Sequence, residues 1–230
     1  IVHLDRLARN YKILSNSLND KRLMAIVKAN AYGHGAIECS KTLEGQGCDS
    51  FSVFTIEEAK ELRNAGLKSD ILLLSKLEKE SIQTAIDNDL IVNISSIDDL
   101  DSIILFLEKN GLSPRFHMKI ETGMNRLGFD LSDISLAVGK LLNYKNLNCE
   151  GIYTHYATSD EGDLSYAHLQ QERFEKALEI ANEMGYTFKY KHISNSGGLL
   201  SELSSNTNML RIGILLYGIY PSKDVEKKYV

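Results

Sequence analysis

Short β-branched or aliphatic runs alternate along the chain with longer segments of helical period, and this alternation limits the possible folds more than any other feature. It predicts strands near residues 22–28, 50–54, 71–74, 91–93, 115–121, 149–154, 188–194 and 209–212. Helical stretches lie between them, such as residues 55–65, where Ala59, Leu62 and Ala65 repeat on one face. Gly45, Gly66, Gly111 and Gly185 sit just past helical segments, where a left-handed cap is wanted. No linker, low-complexity tract or fixed-period repeat interrupts the pattern. Strand–helix alternation of this kind means parallel strands joined by right-handed crossovers. Eight such units predict one α/β domain over residues 1–230, a closed (β/α)8 barrel. The fourth strand is the least marked, and an open doubly wound sheet is the alternative. A barrel makes a further demand: chemistry at the carboxyl ends of its strands, and phosphate held after strands seven and eight.

Composition narrows the class. With 230 residues, 43% hydrophobic, 25% charged and a net charge of -5, the chain reads as an ordinary soluble globular protein. The negative charge and the lack of a basic cluster argue against nucleic acid as partner. No run approaches the roughly 18 apolar residues of a membrane helix, since Arg211 interrupts the best candidate, Met209 to Tyr220. No secretory signal precedes the first charged residues, so a cytoplasmic location is expected. Cys39, Cys48 and Cys149 lack metal-ligand spacing and read as idle thiols in a reducing compartment, with no metal expected. The chain begins at Ile1 in mid-pattern, which reads as a piece of something longer; a membrane anchor on other sequence stays open.

Lys28 follows the apolar run Leu23-Met24-Ala25-Ile26-Val27. A lysine in such surroundings is usually paired or reactive, because desolvation frees the amine as a nucleophile. The plain alternative is a lysine that snorkels out at the strand end. The following Asn30-Ala31-Tyr32-Gly33-His34-Gly35 favours function: two glycines let the backbone turn closely, and the Tyr32 hydroxyl can reach a phosphate. In strand five, Phe116, Met118 and Ile120 share one face, and His117, Lys119 and Glu121 share the other. Helices would cover the apolar face, so the charged set points into the barrel as an ion network or a site. Arg126 lies on the loop above, where it could clamp a carboxylate or a cofactor oxygen.

Strand six ends at Tyr153-Thr154-His155, and a histidine at that edge could stack on or bond to a ring. His3, His34, His117, His168 and His192 read as structural. Strand seven runs into Ser194-Asn195-Ser196-Gly197-Gly198, and strand eight into Arg211-Ile212-Gly213-Ile214. Small residues at a helix start offer backbone N–H groups to an anion, and both loops fall where the barrel demands a phosphate site.

Several segments, in order over nearly the whole chain, resemble the amino-terminal domain of the alanine racemase family: Val27 to Gly35, Lys119 to Gly128, Thr154 to Glu161, Asn195-Ser196, and Arg211 to Ser222. The resemblance implies a TIM-type barrel of fold-type III binding pyridoxal 5′-phosphate. Lys28 would be the Schiff-base lysine and one of two acid/base groups. Tyr32, Ser196 and the backbone of Gly213 and Ile214 would hold the phosphate, with Asn195 beside them. Arg211 would face the pyridine nitrogen, His155 would support Arg211, and Arg126 would contact the phenolic oxygen. The lysine matching Lys119 is often carbamylated in the family and then pairs with the arginine matching Arg126.

The activity implied is racemisation of a small amino acid, alanine or serine, for cell-wall precursors. An arginine, with a pKa above about 12, does not give its proton to the pyridine nitrogen, which restrains transamination. Racemisation needs a base on each face of Cα, and the family's second base is a tyrosine from the partner subunit's carboxy-terminal β domain. That domain does not follow here, so the 230 residues alone are expected to bind cofactor but racemise poorly, and the full-length protein to be a homodimer. The main rival is a non-enzymatic single-domain pyridoxal-phosphate carrier; a dead barrel kept for interactions is a third reading.

Overall fold

The computed structural model describes residues 1–203 and 206–225. Its eight parallel strands close into a barrel in sequence order: β1 (Arg22–Ile26), β2 (Ser50–Val53), β3 (Asp70–Lys76), β4 (Ile91–Ile94), β5 (Arg115–Lys119), β6 (Asn148–Tyr153), β7 (Tyr190–His192) and β8 (Met209–Ile212). Pairing of β1 with β8, from Arg22↔Met209 to Ala25↔Ile212, closes the ring and removes the open-sheet alternative. The faint fourth strand is real and pairs on both sides.

Most strand ends shift by one or two residues from expectation, and two of these shifts bear on the site. β1 stops at Ile26, so Lys28 stands beyond the strand rather than at its last position, and β5 stops at Lys119 rather than at residue 121. The helix α1 (Leu4–Asn16) precedes the barrel, and each later crossover returns the chain over the outside. The crossover from β2 shows how local sequence sets a boundary. Thr55 caps α2 (Ile56–Asn64) through its hydroxyl, while Ala59 and Leu62 are buried beneath it. Gly66, Gly111 and Gly185 take the expected left-handed conformation, but Gly45 ends its helix and Gly47 turns left instead, two residues later. Among the described residues no helix is long and apolar enough to cross a membrane. All three cysteines are free; burial raises the Cys48 and Cys149 thiols to about 12, which suits idle groups.

Alternate residues of each strand fill the barrel in three layers. At the amino ends lie Arg22, Asp70, Arg115 and Glu150, joined in ion pairs. Above them Met24, Leu72, Ile91 and Met209 form an apolar plug, with Tyr190 and Leu74 against it. His117 shares this level, and Gly151 on the neighbouring strand leaves it room: a Cβ there would lie 2.8 Å from the imidazole. The top layer faces a cavity.

Candidate active site

The cavity opens at the carboxyl ends of the strands and has a volume of about 420 Å³. Lys28, Tyr32, Lys119, Arg126, His155, Asn195, Ser196, Arg211, Gly213 and Ile214, all singled out from the sequence, line it. So do Phe54, Tyr153 and Asp160, which were not.

Lys28 opens a turn that the sequence did not reveal. Ala29, Asn30, Ala31 and Tyr32 have φ between 52° and 54° and ψ between 37° and 48°, one left-handed helical turn built without glycine. Each such L-residue costs about 1–2 kcal/mol, so the surroundings must hold the turn. The Ala31 N–H donates to Val27 O at 2.9 Å, and the Asn30 side chain accepts from Ala36 N at 2.7 Å. The left-handed sense carries Tyr32 across to the loop after β8. Its hydroxyl lies 2.7 Å from where a Gly213 Cβ would be, so Gly213 is needed as glycine for this approach. Tyr217 stacks against His34 at 4.8 Å and meets Tyr32 edge-on at 5.5 Å. His34 therefore buttresses the turn.

Arg211 is buried at the end of β8 without a carboxylate. Its Nη1 donates to His192 Nδ1 at 2.8 Å, and its Nη2 to Thr154 O at 2.6 Å and His155 Nδ1 at 3.1 Å. Guanidinium only donates, so both imidazoles accept at Nδ1 and carry their own proton on Nε2. The Nε2 of His192 then donates to His117 Nδ1 at 2.9 Å. Burial first, then the neighbouring cations, pushes His155 and His192 well below the usual histidine range and keeps them neutral. Burial also lowers His117 to about 3 and Arg211 to about 10, so the arginine keeps its charge at pH 7. His192, expected to be merely structural, thus touches the central arginine; its inward parity on β7 was the available signal. The Nε of Arg211 makes no hydrogen bond to the described residues.

The inward set of β5 divides. Lys119 is buried, with its amine 5.8 Å from the Tyr153 ring centroid, and burial followed by Arg126 and Arg211 lowers it to about 8. Glu121 does not pair with it: the carboxylate turns back and accepts from the Gly123 and Arg126 backbone N–H groups. Alternation along strand five predicts His117, Lys119 and Glu121 all facing inward, but the strand ends at Lys119 and the glutamate caps the following loop instead. Burial would raise the Glu121 carboxyl, but these backbone donors hold it below the usual range. Among the described residues Lys28, Lys119, Arg126 and Arg211 have no ion-pair partner.

On the far wall Ser196 Oγ accepts from Gly213 N at 3.2 Å and Leu215 N at 3.4 Å, which draws together the loops after β7 and β8. Asn195 Oδ1 accepts from Gly198 N at 2.9 Å and from Ser159 Oγ at 2.7 Å, so its side chain shapes the loop.

Comparison with known proteins agrees with this geometry. Residues 2–221 match the family model described as alanine racemase, N-terminal domain. The alanine racemase of Methanococcus maripaludis is 37% identical over 231 residues, covering 100% of this chain and 62% of that protein. That of Desulforamulus reducens is 36% identical, with 98% and 62% covered. Among solved structures, alanine racemase of Clostridium difficile superposes with a TM-score of 0.93 at 33% identity, covering 98% of this chain and 60% of that one. Alanine racemase of Bacillus anthracis with bound L-Ala-P gives 0.90 at 30% identity, with 100% and 61% covered. The chain spans about three fifths of the length of the relatives it matches.

Proposed function

The chain belongs to the alanine racemase family, and on that premise we propose that it forms the pyridoxal 5′-phosphate site of a racemase acting on alanine or serine, in supply of D-amino acid for cell-wall precursors. The observation that carries this reading is the set of four basic side chains, Lys28, Lys119, Arg126 and Arg211, without ion-pair partners around one cavity. Such charge goes unpaired in a protein when a ligand brings the complement. A phosphate and an amino-acid carboxylate both do so.

The residues fit the cofactor at three points. Tyr32 and Ser196 place hydroxyls beside Gly213, where a Cβ would fill the cradle. The Ile214 N–H, the first of the turn Ile214–Tyr217, has no partner among the described residues and could take a phosphate oxygen, while those of Gly213 and Leu215 meet Ser196 Oγ. Arg211 keeps Nε–H for an unprotonated ring nitrogen. When bound, the cofactor supplies the electron withdrawal that makes Cα–H of an attached amino acid acidic.

Lys28 would hold the cofactor covalently and then take or return a proton on one face of Cα. Arg211, still charged near pH 7 at about 10, would donate a hydrogen bond and keep its proton, which limits electron withdrawal and side reactions. His155, held neutral, fixes the guanidinium. Lys119, at about 8, has enough neutral amine to add carbon dioxide, losing a proton to water; the carbamate would then face Arg126. A tyrosine from the carboxy-terminal domain of a second copy would serve the other face in a homodimer, on a protein with a cytoplasmic role. The carrier alternative draws no support from relatives named alanine racemases.

Proton NMR in deuterated water tests this. With pyridoxal phosphate present, the 230 residues should exchange the Cα hydrogen of one alanine enantiomer much faster than they interconvert the two. Interconversion as fast as exchange would show that these residues hold both bases, and no exchange with either enantiomer would refute Lys28 as a base.

A further inference from the structure

Glu58 makes more hydrogen bonds than its helix requires. As the third residue of α2 it completes the capping box, and Oε2 accepts from Thr55 N at 3.1 Å and Phe54 N at 2.7 Å. Its other oxygen reaches out of the helix altogether. Oε1 accepts from the Ala29 N–H at 2.6 Å. Ala29 is the residue after Lys28 and the first of the four left-handed ones.

The first N–H of a helical turn has no partner inside that turn, whatever its hand. For Ala29 the partner is a carboxylate, the strongest kind of acceptor for a backbone donor. The same carboxylate fixes the backbone of Phe54, whose ring centroid lies 5.9 Å from the Lys28 amine. One side chain thus ties down the residue that follows Lys28 and the residue that walls its amine. No other side chain among the described residues bonds the Ala29 amide.

We propose that Glu58 is a positioning residue for Lys28: it holds the left-handed turn in register so that the amine stays aimed into the cavity. The proposal rests on the reading of Lys28 as the cofactor-holding lysine. Without Glu58, the strained residues relax toward ordinary backbone angles and the amine swings with them. A small misplacement of a reacting group is enough to slow bond formation strongly.

Purified protein loaded with pyridoxal phosphate provides the test, read by release of the bound chromophore after dilution, by hydrogen exchange of the 29–32 amides, and by melting temperature. Glu58→Ala should release the cofactor about tenfold faster and lose protection at Ala29, because the bond that orders the turn is gone. Thr55→Ala breaks the same capping box but leaves the Ala29 bond. It should melt earlier while releasing cofactor within about twofold of the parent rate. Glu58→Gln has one acceptor oxygen for three donors and should fall between. Adding Ala29→Gly to Glu58→Ala should slow release again, since glycine takes positive φ without strain and this exposed alanine gives up no packing.

Equal release and equal exchange in Glu58→Ala and Thr55→Ala would overturn the proposal and leave Glu58 a plain cap. If Glu58→Ala does not fold, Glu58→Gln against Thr55→Ala decides in the same way. Lys28→Ala separates the two levels: covalent capture that survives it refutes the Lys28 reading, whereas capture lost there but unaltered in Glu58→Ala refutes only the positioning role.

Discussion

At the amino ends of the strands Arg22 and Arg115 both reach Asp70, and Arg115 also holds Glu150 and Asp89. At the carboxyl ends Lys28, Lys119, Arg126 and Arg211 face one cavity, and none of them meets a carboxylate within ion-pair distance among the described residues. The plug of Met24, Leu72, Ile91 and Met209 separates the two layers. The same strands therefore carry a closed electrostatic network at one end and an open one at the other. Paired charge specifies a fold on its own, while unpaired charge stores a demand for a ligand. On the proposed reading, stability belongs to the bottom of this barrel and chemistry to the top.

The bottom should break most visibly. Asp70→Ala leaves two half-buried arginines without their shared partner and should cost about 3 kcal/mol in urea unfolding, with cofactor capture intact. Burial would raise the Asp70 carboxyl, but the hydrogen bonds from Arg115 and Arg22 outweigh it and hold it below its ordinary 3.8. A depressed carboxyl contributes stability that is full above pH 3.8 and lost as pH falls through its folded value, so the parent should lose stability in acid and the variant should lose less.

The top should show a pH dependence of the same sign but in the alkaline range. Lys119 binds its proton less tightly in the folded state, at about 8 against 10.5. The unfolded chain then holds more protons on this amine between those values, so the Lys119 contribution to stability rises with pH across that window, by on the order of 3 kcal/mol. The buried Cys48 and Cys149 thiols, raised to about 12, oppose it in the same range, so unfolding of cofactor-free parent and Lys119→Met is compared at pH 7 and pH 10. Lys119→Met should lack that contribution and weaken the cavity's hold on anions; a pH 7 to pH 10 change equal to the parent's would mean that Lys119 is not the buried cation responsible.

A smaller effect is expected at the phosphate wall. Gly213→Ala puts a methyl where the Tyr32 hydroxyl lies, 2.7 Å away. The tyrosine must swing aside, so cofactor affinity should fall about tenfold, about 1.4 kcal/mol, while urea unfolding scarcely changes. Unchanged affinity in a titration would take Tyr32 out of the phosphate site.

Much of this contrast can be read in the sequence. Period-two alternation in β5 sets Phe116 and Met118 outside and His117 and Lys119 inside, and the structure keeps that division. Strand–helix alternation pointed to the closed barrel over an open sheet, and the pairing of β1 with β8 decides between them. What stayed hidden depends on contacts between distant segments. The left-handed turn after Lys28 has no glycine at its four central positions, so no residue type announces it. Glu58 looks like a capping residue alone because its second oxygen is used across 29 positions of sequence. Glu121 seemed an inward charge, but its loop offered it backbone donors at closer range than Lys119 could. Gly45 was passed over for Gly47 because the helix runs on through it.

The central claim is that Lys28 turns the open charge at the top of the barrel into covalent capture of pyridoxal phosphate. Absorbance spectra of the protein and of Lys28→Ala, each with added cofactor and each followed by borohydride reduction and mass measurement, test it most directly. The account predicts a visible band and a reduced adduct on Lys28 in the parent, and neither in the variant at unchanged melting temperature. A band and adduct that survive the substitution would contradict it.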